Sequence, residues 1–258
     1  MVPVDLTGRA VRGALAALAA GALLVAACGS DGGDGGGPAA TSASAATSAT
    51  GGGAPAPDDL AATVAAATEA AGRARFVMET VAEADGEEAV ASRSEGEVDW
   101  VARRGHRVDR FDEVLLTTGR PGDGLTDQGE AWLAGDRTWE VNAGDPASEA
   151  HPVTPGLGPF LGLHDAGEGD GLAGALLATL DGRRFETAGT EDVGGAPATR
   201  YRAEDGGRTV EVWVDGGGRL VRLRQGSTAP TGAVLATVLE LSDLGGDVEV
   251  PPLPDGIG

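Results

Sequence analysis

A β-hairpin can be recognised in residues 209–224, which read Thr-Val-Glu-Val-Trp-Val-Asp-Gly-Gly-Gly-Arg-Leu-Val-Arg-Leu-Arg. Asp215 and the three glycines after it predict a tight turn, because glycine accepts positive φ angles. Closing a four-residue turn pairs aliphatic side chains on one face: Val212 with Val221, and Val210 with Leu223. It pairs polar or mixed partners in the remaining positions: Glu211 with Arg222, Thr209 with Arg224, and Trp213 with Leu220. The hairpin therefore predicts a sheet with one apolar and one polar face.

The same strand-like composition recurs on both sides of this hairpin. Predicted strands cover 74–84, 93–103, 106–117, 130–134, 137–142, 183–192, 197–204, 208–214, 219–226 and 233–243. Most links between consecutive strands are short, which favours antiparallel pairing. The Pro- and Gly-rich residues 143–168 are predicted to form a long loop.

Two amphipathic helices are predicted to cover the apolar face of the sheet. The first starts at Asp58 or Asp59, either of which can cap it, and ends before Gly72. Its apolar face is formed by Leu60, Val64, Ala67 and Ala71. The second spans about 171–181 and stacks three leucines on one face: Leu172, Leu176 and Leu180. Residues 58–258 are thus predicted to form one domain, mainly β with helices.

The amino terminus has the pattern of an exported lipoprotein. Arg9 and Arg12 precede an apolar stretch, 13–25, that is short for a membrane span. The run Leu-Val-Ala-Ala-Cys-Gly that ends this stretch resembles a bacterial lipobox, and Cys28 is the single cysteine of the chain. The resemblance implies that 1–27 is a signal peptide and that Cys28 is lipidated after cleavage. Cell-membrane anchorage on the extracytoplasmic face is therefore expected; an ordinary secreted protein is the alternative.

Residues 28–57 follow the anchor position and contain mainly Gly, Ala, Ser, Thr and Pro. Without large apolar side chains, nothing in this stretch offsets the entropy cost of ordering it. It is predicted to be a flexible tether that holds the domain about 30 Å from the membrane.

The charge and the motif content argue against several classes of function. A formal net charge of −21 disfavours nucleic acid as a partner. The sequence carries no nucleophile elbow, no His-Glu-x-x-His and no second cysteine, so no catalytic residue, metal site or cofactor is predicted. Four arginines cluster near one predicted turn, namely Arg103, Arg104, Arg107 and Arg110. They could bind a phosphate or a lipoglycan headgroup, or could form ion pairs with nearby carboxylates.

Residues 193–224 also carry a family resemblance. The pieces Gly-Gly-x-x-x-Thr-x-Tyr, Val-Trp-Val-Asp and Gly-Arg-Leu-Val-Arg resemble the LppX/LprG-type actinobacterial lipoproteins, which are related in fold to LolA, LolB and RseB. The resemblance implies a curved antiparallel half-barrel with two or three helices across its concave face. It also implies a hydrophobic cavity that binds the acyl chains of lipids or lipoglycans. The missing catalytic motifs predict that the protein is not an enzyme.

Strand alternation and the helix pattern name the candidate lining residues of such a cavity. They are Phe76, Met78, Val98, Trp100, Trp139, Val141, Leu172, Leu176, Leu180, Val210, Val212, Val221 and Leu223. Each could equally be an ordinary core side chain, since any fold buries apolar residues. Two other functions remain open: a regulatory or sensor lipoprotein that binds a membrane protein, as RseB relatives do, and a structural envelope lipoprotein without ligand.

Overall fold

The fold is seen in a computed structural model that describes residues 56–84, 87–112, 124–135, 137–142, 151–152, 156–163, 165, 171–228 and 234–254. The elements are, in chain order, α1 (Leu60–Ala70), β1 (Arg73–Ala84), β2 (Glu87–Asp99), β3 (Arg104–Phe111), β4 (Thr126–Ala134), β5 (Arg137–Asn142), β6 (His151–Pro152), α2 (Leu157–Phe160), α3 (Leu172–Leu180), β7 (Glu186–Val193), β8 (Ala196–Asp205), β9 (Arg208–Asp215), β10 (Leu220–Thr228) and β11 (Val234–Ser242).

All described strands belong to one antiparallel sheet of eleven strands, in the order β6-β5-β4-β3-β2-β1-β11-β10-β9-β8-β7. The predicted antiparallel sheet is confirmed, and β5 has the predicted bounds. Strand β2 begins earlier than predicted and gives way to a turn at 100–103. The predicted loop 143–168 contains β6 and α2, so that prediction is wrong there. The Pro and Gly residues of this segment favour loops and mask its short helix. Its remaining residues lie largely outside the described part.

The hairpin of β9 and β10 is present, but its register differs by two residues from the predicted one. Val212 pairs with Leu223, and Trp213 pairs with Arg222. The cause lies in the turn, where the Asp215 carboxylate accepts hydrogen bonds from the backbone N–H groups of Gly217 and Arg219. These bonds draw Arg219 into the turn, and an irregularity between Leu220 and Arg222 restores the pairing.

Replacing Asp215 by alanine should weaken this turn. The carboxylate also receives a hydrogen bond from Arg219 Nε at 2.9 Å, and its side chain is only 13% exposed. Burial alone would raise its pKa, but the hydrogen bonds from Arg219 and Gly217 outweigh burial and lower the pKa. We expect Asp215→Ala to lower the free energy of unfolding by about 1–3 kcal/mol in urea titrations at pH 7.

The pH dependence of that loss follows from the lowered pKa. The stabilisation is complete above the unfolded pKa, near 3.8, and disappears as the pH falls through the lower folded value. The difference between wild type and Asp215→Ala should therefore shrink below about pH 3.8. Asp205→Ala, at an exposed position before the preceding hairpin turn, serves as the control. Equal losses for both variants would show that the turn bonds of Asp215 contribute nothing.

The helices pack on one face of the sheet, here called the helix face. Both helix predictions are confirmed in position, and the leucine stripe of α3 is at most 1% exposed. Asp59 precedes α1, but its side chain makes no capping hydrogen bond. Thr68, rather than Ala67, faces the sheet: its hydroxyl donates to the Val64 carbonyl and accepts from the N–H of Leu220. This pair of bonds ties α1 to β10.

The opposite face, here called the outer face, carries a ladder of ion pairs. Its pairs include Arg75 with Glu97, Arg93 with Glu79, Arg110 with Glu95, Arg200 with Glu191, Arg222 with Glu240 and Arg224 with Glu88. Hydrogen bonds from Arg110 and Trp213 are the largest causes that lower the pKa of Glu95 and Glu191, respectively. A polar outer face leaves the helix face as the apolar side of the sheet.

Candidate functional site

Most of the predicted lining residues come together in one buried cluster between the sheet and the helices. The cluster includes Phe76, Val98, Trp100, Leu172, Leu176, Leu180, Val210, Val212 and Leu223, each at most 6% exposed. Met78 is half-buried and packs against it. Trp100 closes one end, where its indole Nε1 donates to the Glu69 carbonyl of α1 at 2.8 Å. The helix face is therefore lined by the residues that alternation selected.

Three predicted lining residues lie elsewhere, so their assignment to the shared apolar face is wrong. Val221 sits at the irregularity in β10 and packs with Trp213 on the outer face. Trp139 pairs with Trp132, and Val141 shares its side of β5. The side of β5 that faces the helices carries Thr138 and Glu140 instead. In β5 the polar residues Thr138 and Glu140 therefore point toward the core, and the apolar residues Trp139 and Val141 point away from it.

The space over the first strands is filled by α2 and the residues after it, which the sequence did not single out. Phe160, Leu161 and Leu163 are at most 1% exposed. The Phe160 ring meets Phe76 edge to face, with centroids 5.6 Å apart. A Cβ at Gly105 would lie 2.7 Å from the Phe160 ring, so this glycine of β3 is what admits the ring. The segment 156–163 thus occupies the place where an open cavity was expected.

Arg107 binds this segment to the sheet. Its Nη1 donates to the Phe160 carbonyl at 2.8 Å, and its guanidinium carbon lies 5.2 Å from the centroid of the Phe160 ring. The side chain is 13% exposed. Of the four clustered arginines, Arg107 is therefore on the helix face, while Arg110 forms an ion pair with Glu95 of the outer-face ladder.

Polar side chains surround Arg107 on the helix face. Asp109 accepts from Arg107 Nε at 3.1 Å, and Glu140 Oε1 lies 3.5 Å from Arg107 Nη2. Thr138 is two residues from Glu140 on the same side of β5. Burial raises the pKa of Glu140, Arg107 opposes this rise, and the charge of Asp109 adds to it. Arg107 therefore lies beside two carboxyl groups, the buried Asp109 and the partly buried Glu140.

The raised pKa of Glu140 predicts a pH-dependent stability. Its ionised form is disfavoured in the fold, so its contribution is most favourable below the unfolded pKa, near 4.5, and is lost as the pH rises through the folded value. We expect Glu140→Gln to be more stable than wild type at pH 7 and nearly equal to it at pH 4, by urea unfolding. Glu249→Gln, at an exposed position, is the control. Glu140→Gln less stable than wild type at pH 7 would contradict this expectation.

Two surface depressions of the described residues lie elsewhere. One of about 790 Å³ is lined by Ala71, Gly72, Arg73, Asp99, Val101, Ala102, Gly245, Gly246 and Asp247. A second, of about 230 Å³, lies between Trp132 and the Pro251-Pro252 segment. Neither is lined by a predicted lining residue. The buried lining residues of the helix face are at most 6% exposed and pack against one another in this conformation.

The described residues contain no metal-ligand cluster: no three or more His, Cys, Asp or Glu side chains among them are placed to hold a metal ion. None of the helices that the structure describes is long and apolar enough to cross a membrane. Cys28, the predicted lipidation site, lies outside the described residues.

Comparison with known proteins gives structural neighbours only. No protein-family model matches the chain, and no curated protein matches it. A structure of the Pseudomonas aeruginosa MucA/MucB complex is similar, at 15% identity and a TM-score of 0.39. The match covers 76% of this chain but only 58% of that chain.

Two further neighbours are a LolA superfamily protein and a lipoprotein-sorting protein domain. A LolA superfamily protein from Nitrosomonas europaea has 12% identity and a TM-score of 0.31, over 76% of this chain and 94% of its own. A putative outer membrane lipoprotein-sorting protein domain from Vibrio parahaemolyticus has 16% identity and a TM-score of 0.26, over 72% and 89%. Similarity at this level assigns no ligand, partner or activity to this chain. Its function is therefore argued from its own residues.

Proposed function

We propose that this chain is a lipid-anchored, non-enzymatic envelope protein that binds the acyl chain of a lipid or lipoglycan between its sheet and its helices. In this proposal the sheet is a half-barrel of the LppX/LprG type. The observation that carries it is the continuous apolar cluster of the helix face, which is covered, among the described residues, by helices of 11, 4 and 9 residues.

Binding requires the cover to separate from the sheet, because the cluster is packed in the described conformation. The segment 156–163 is the part proposed to move, since α2 is the shortest of the three described helices. Four of its apolar side chains are buried, namely Leu157, Phe160, Leu161 and Leu163. Exposing them would cost about 6–12 kcal/mol. An acyl chain burying ten or more methylene groups would offset this with about 8 kcal/mol or more. The free energy gained by burying the acyl chain is therefore similar to the cost of exposing the four side chains, so binding can be reversible.

The anchor would be supplied by Cys28. Lipidation of its sulfur, followed by the tether 28–57, would hold the domain at the extracytoplasmic face of the cell membrane. Intact-mass analysis of the protein from its native membrane tests this part alone. A mass without added acyl chains would remove the anchor from the proposal, while the lipid-binding domain could still stand.

A photoactivatable fatty acid tests the binding itself. The full chain with Cys28→Ser, which cannot be acylated, is mixed with a palmitate that carries a diazirine in mid-chain. Irradiation and peptide mass spectrometry then locate the adducts. The proposal predicts adducts on helix-face residues such as Phe76, Leu176 and Leu223. Adducts confined to the signal peptide or to the outer face would contradict the proposal.

A protein partner is the second candidate, favoured by the closed state of the core. A core whose lining is at most 6% exposed needs no ligand for its stability. In that case the domain would act by binding a membrane protein, as a regulator or sensor, or would be structural. Capture of one specific membrane protein by the anchored chain, together with no fatty-acid adduct on the helix face, would favour this candidate.

A further inference from the structure

Resting on the proposed acyl-chain function, we infer that the lipid enters and leaves the helix face at one end of the sheet, across an uncharged rim on β10, β11, β1 and β2. The rim is defined by six helix-face side chains: Thr80, Ala82, Ser92, Gln225, Leu235 and Thr237. The ligand is a single lipid molecule, with its chain on the apolar cluster and its headgroup at the rim.

The strand register places the rim directly beyond the apolar cluster. Met78 pairs with Leu239 at the cluster, and the next helix-face pair along the same two strands is Thr80 with Thr237. The row continues onto β2 and β10 through the cross-strand partners of these two threonines. Because side chains two residues apart in a strand share a face, the rim is the continuation of the lining toward one end of the sheet.

The rim differs from the outer face of the same strands by its lack of charge. On the outer face, Glu79 forms an ion pair with Arg93, and Glu88 forms one with Arg224. On the helix face, none of the six rim side chains is charged, and all six are half-buried. A charged side chain there would have to lose its water before an apolar chain passed over it. The uncharged rim therefore suits the passage of an acyl chain between solvent and the cluster.

The segment proposed to move borders this rim. Gly162 lies so close to β1 and β11 that a Cβ added to it would overlap Met78 Sδ and lie 3.5 Å from Thr237 Cγ2. Separation of segment 156–163 from the sheet therefore opens the apolar cluster toward the rim.

The opposite end of the cluster is closed by described residues. Trp100 is 6% exposed there, and its backbone N–H donates to the Gly72 carbonyl at 3.1 Å, beside its indole bond to α1. The chain that follows β11 crosses the same end, where the N–H of Gly245 donates to the Arg73 carbonyl at 3.0 Å. The lipid is thereby directed to the rim.

The described chain begins at the same end of the sheet as the rim. The N–H of Ala56 donates to the carbonyl of Phe185 at 3.1 Å, and Phe185 directly precedes β7. Neighbouring strands from β7 to β1 are antiparallel, so the start of β7 lies at the same end as the start of β11 and the ends of β10 and β1. The proposed tether joins the domain there, so a lipid that leaves the membrane meets the rim before the closed end.

A nitroxide on the headgroup tests the direction of entry. The full chain with Cys28→Ser has no cysteine, so Thr80→Cys and Val101→Cys each carry a single bimane label, at the rim and at the closed end. The probe is the amide of dodecanoic acid with amino-TEMPO, which quenches bimane at short range. The label at Thr80→Cys is expected to lose most of its fluorescence, and the label at Val101→Cys is expected to keep it.

Each other result of this experiment has one meaning. Quenching at Val101→Cys as strong as at Thr80→Cys, or stronger, would overturn the rim as the portal and leave the acyl-chain site standing. If neither label is quenched, the diazirine-palmitate adducts decide. Adducts on the helix face would overturn the rim alone, and their absence would overturn the acyl-chain function itself.

A matched pair of charge variants tests the path through the rim. Thr237→Asp places a carboxylate in the path and should slow the uptake of a pyrene-labelled fatty acid by about tenfold, since the chain would strip water from that group. Val238→Asp adds the same charge to the next residue of β11, on the outer face opposite Glu79, and should leave the uptake rate unchanged. Equal slowing in both variants would assign the effect to overall charge and overturn the rim.

Discussion

Phe160→Ala is expected to lower the free energy of unfolding by about 3–5 kcal/mol and to accelerate acyl-chain uptake. The ring is 1% exposed and packs on Phe76, Gly105 and Arg107, so its removal leaves a cavity in the core. The same cavity weakens the hold of segment 156–163 on the sheet. Urea unfolding measures the first effect, and stopped-flow fluorescence with a pyrene-labelled fatty acid measures the second.

Phe185→Ala is the matched control for that variant. Phe185 belongs to the same core at 8% exposure, but it lies before β7, where its carbonyl accepts from Ala56. It should be destabilising without a faster uptake. If both variants accelerate uptake equally, general loosening of the core admits the lipid, and segment 156–163 is not the moving part.

Gly96→Ala should be nearly as damaging, through overpacking. A Cβ at this position of β2 would overlap the carbonyl oxygen of His106 and lie 2.7 Å from Arg107 Cα. Because both are backbone atoms of β3, the strands themselves would have to shift. We expect a loss of about 3 kcal/mol or more in the free energy of unfolding, at the upper end of overpacking costs.

A second strand glycine provides the comparison. Gly226 of β10 has no atom closer than 3.7 Å to an added Cβ. Gly226→Ala should therefore change the stability by less than about 1 kcal/mol. Equal effects of the two substitutions in urea unfolding would mean that β2 and β3 are not as closely paired at Gly96 as described.

The sheet and two of its helices could be predicted because their signals are local. Alternation predicts β9 and β5 as strands, and the leucine spacing of α3 reports which side of one helix is buried. The register of the β9–β10 hairpin could not be predicted, because it depends on which backbone N–H groups the Asp215 carboxylate binds. The irregularity beside Val221 follows from that choice, and alternation alone then places Val221 on the wrong face.

The candidate site was harder to predict than the fold. Alternation identified most of the apolar side chains of the helix face. It could not tell which of the two sides of β5 points inward. That depends on the pairing of Thr138 and Glu140 with Leu133 and Ala131 of β4. Segment 156–163 carries Pro and Gly, and so lacks helix periodicity. Its Leu-Gly-Pro-Phe-Leu-Gly-Leu composition was the available signal, since a solvent-exposed loop rarely needs four large apolar side chains.

The central claim is that the helix face takes up a lipid chain, and native mass spectrometry of the full chain from its native membrane tests it most directly. Release from detergent micelles, followed by lipid extraction, should give about one non-covalent lipid per chain in addition to any acyl groups on Cys28. The claim would be contradicted by a protein that is detected without bound lipid and gains no helix-face adduct from the diazirine palmitate. The closed core would then be the functional state, with a protein partner as its target.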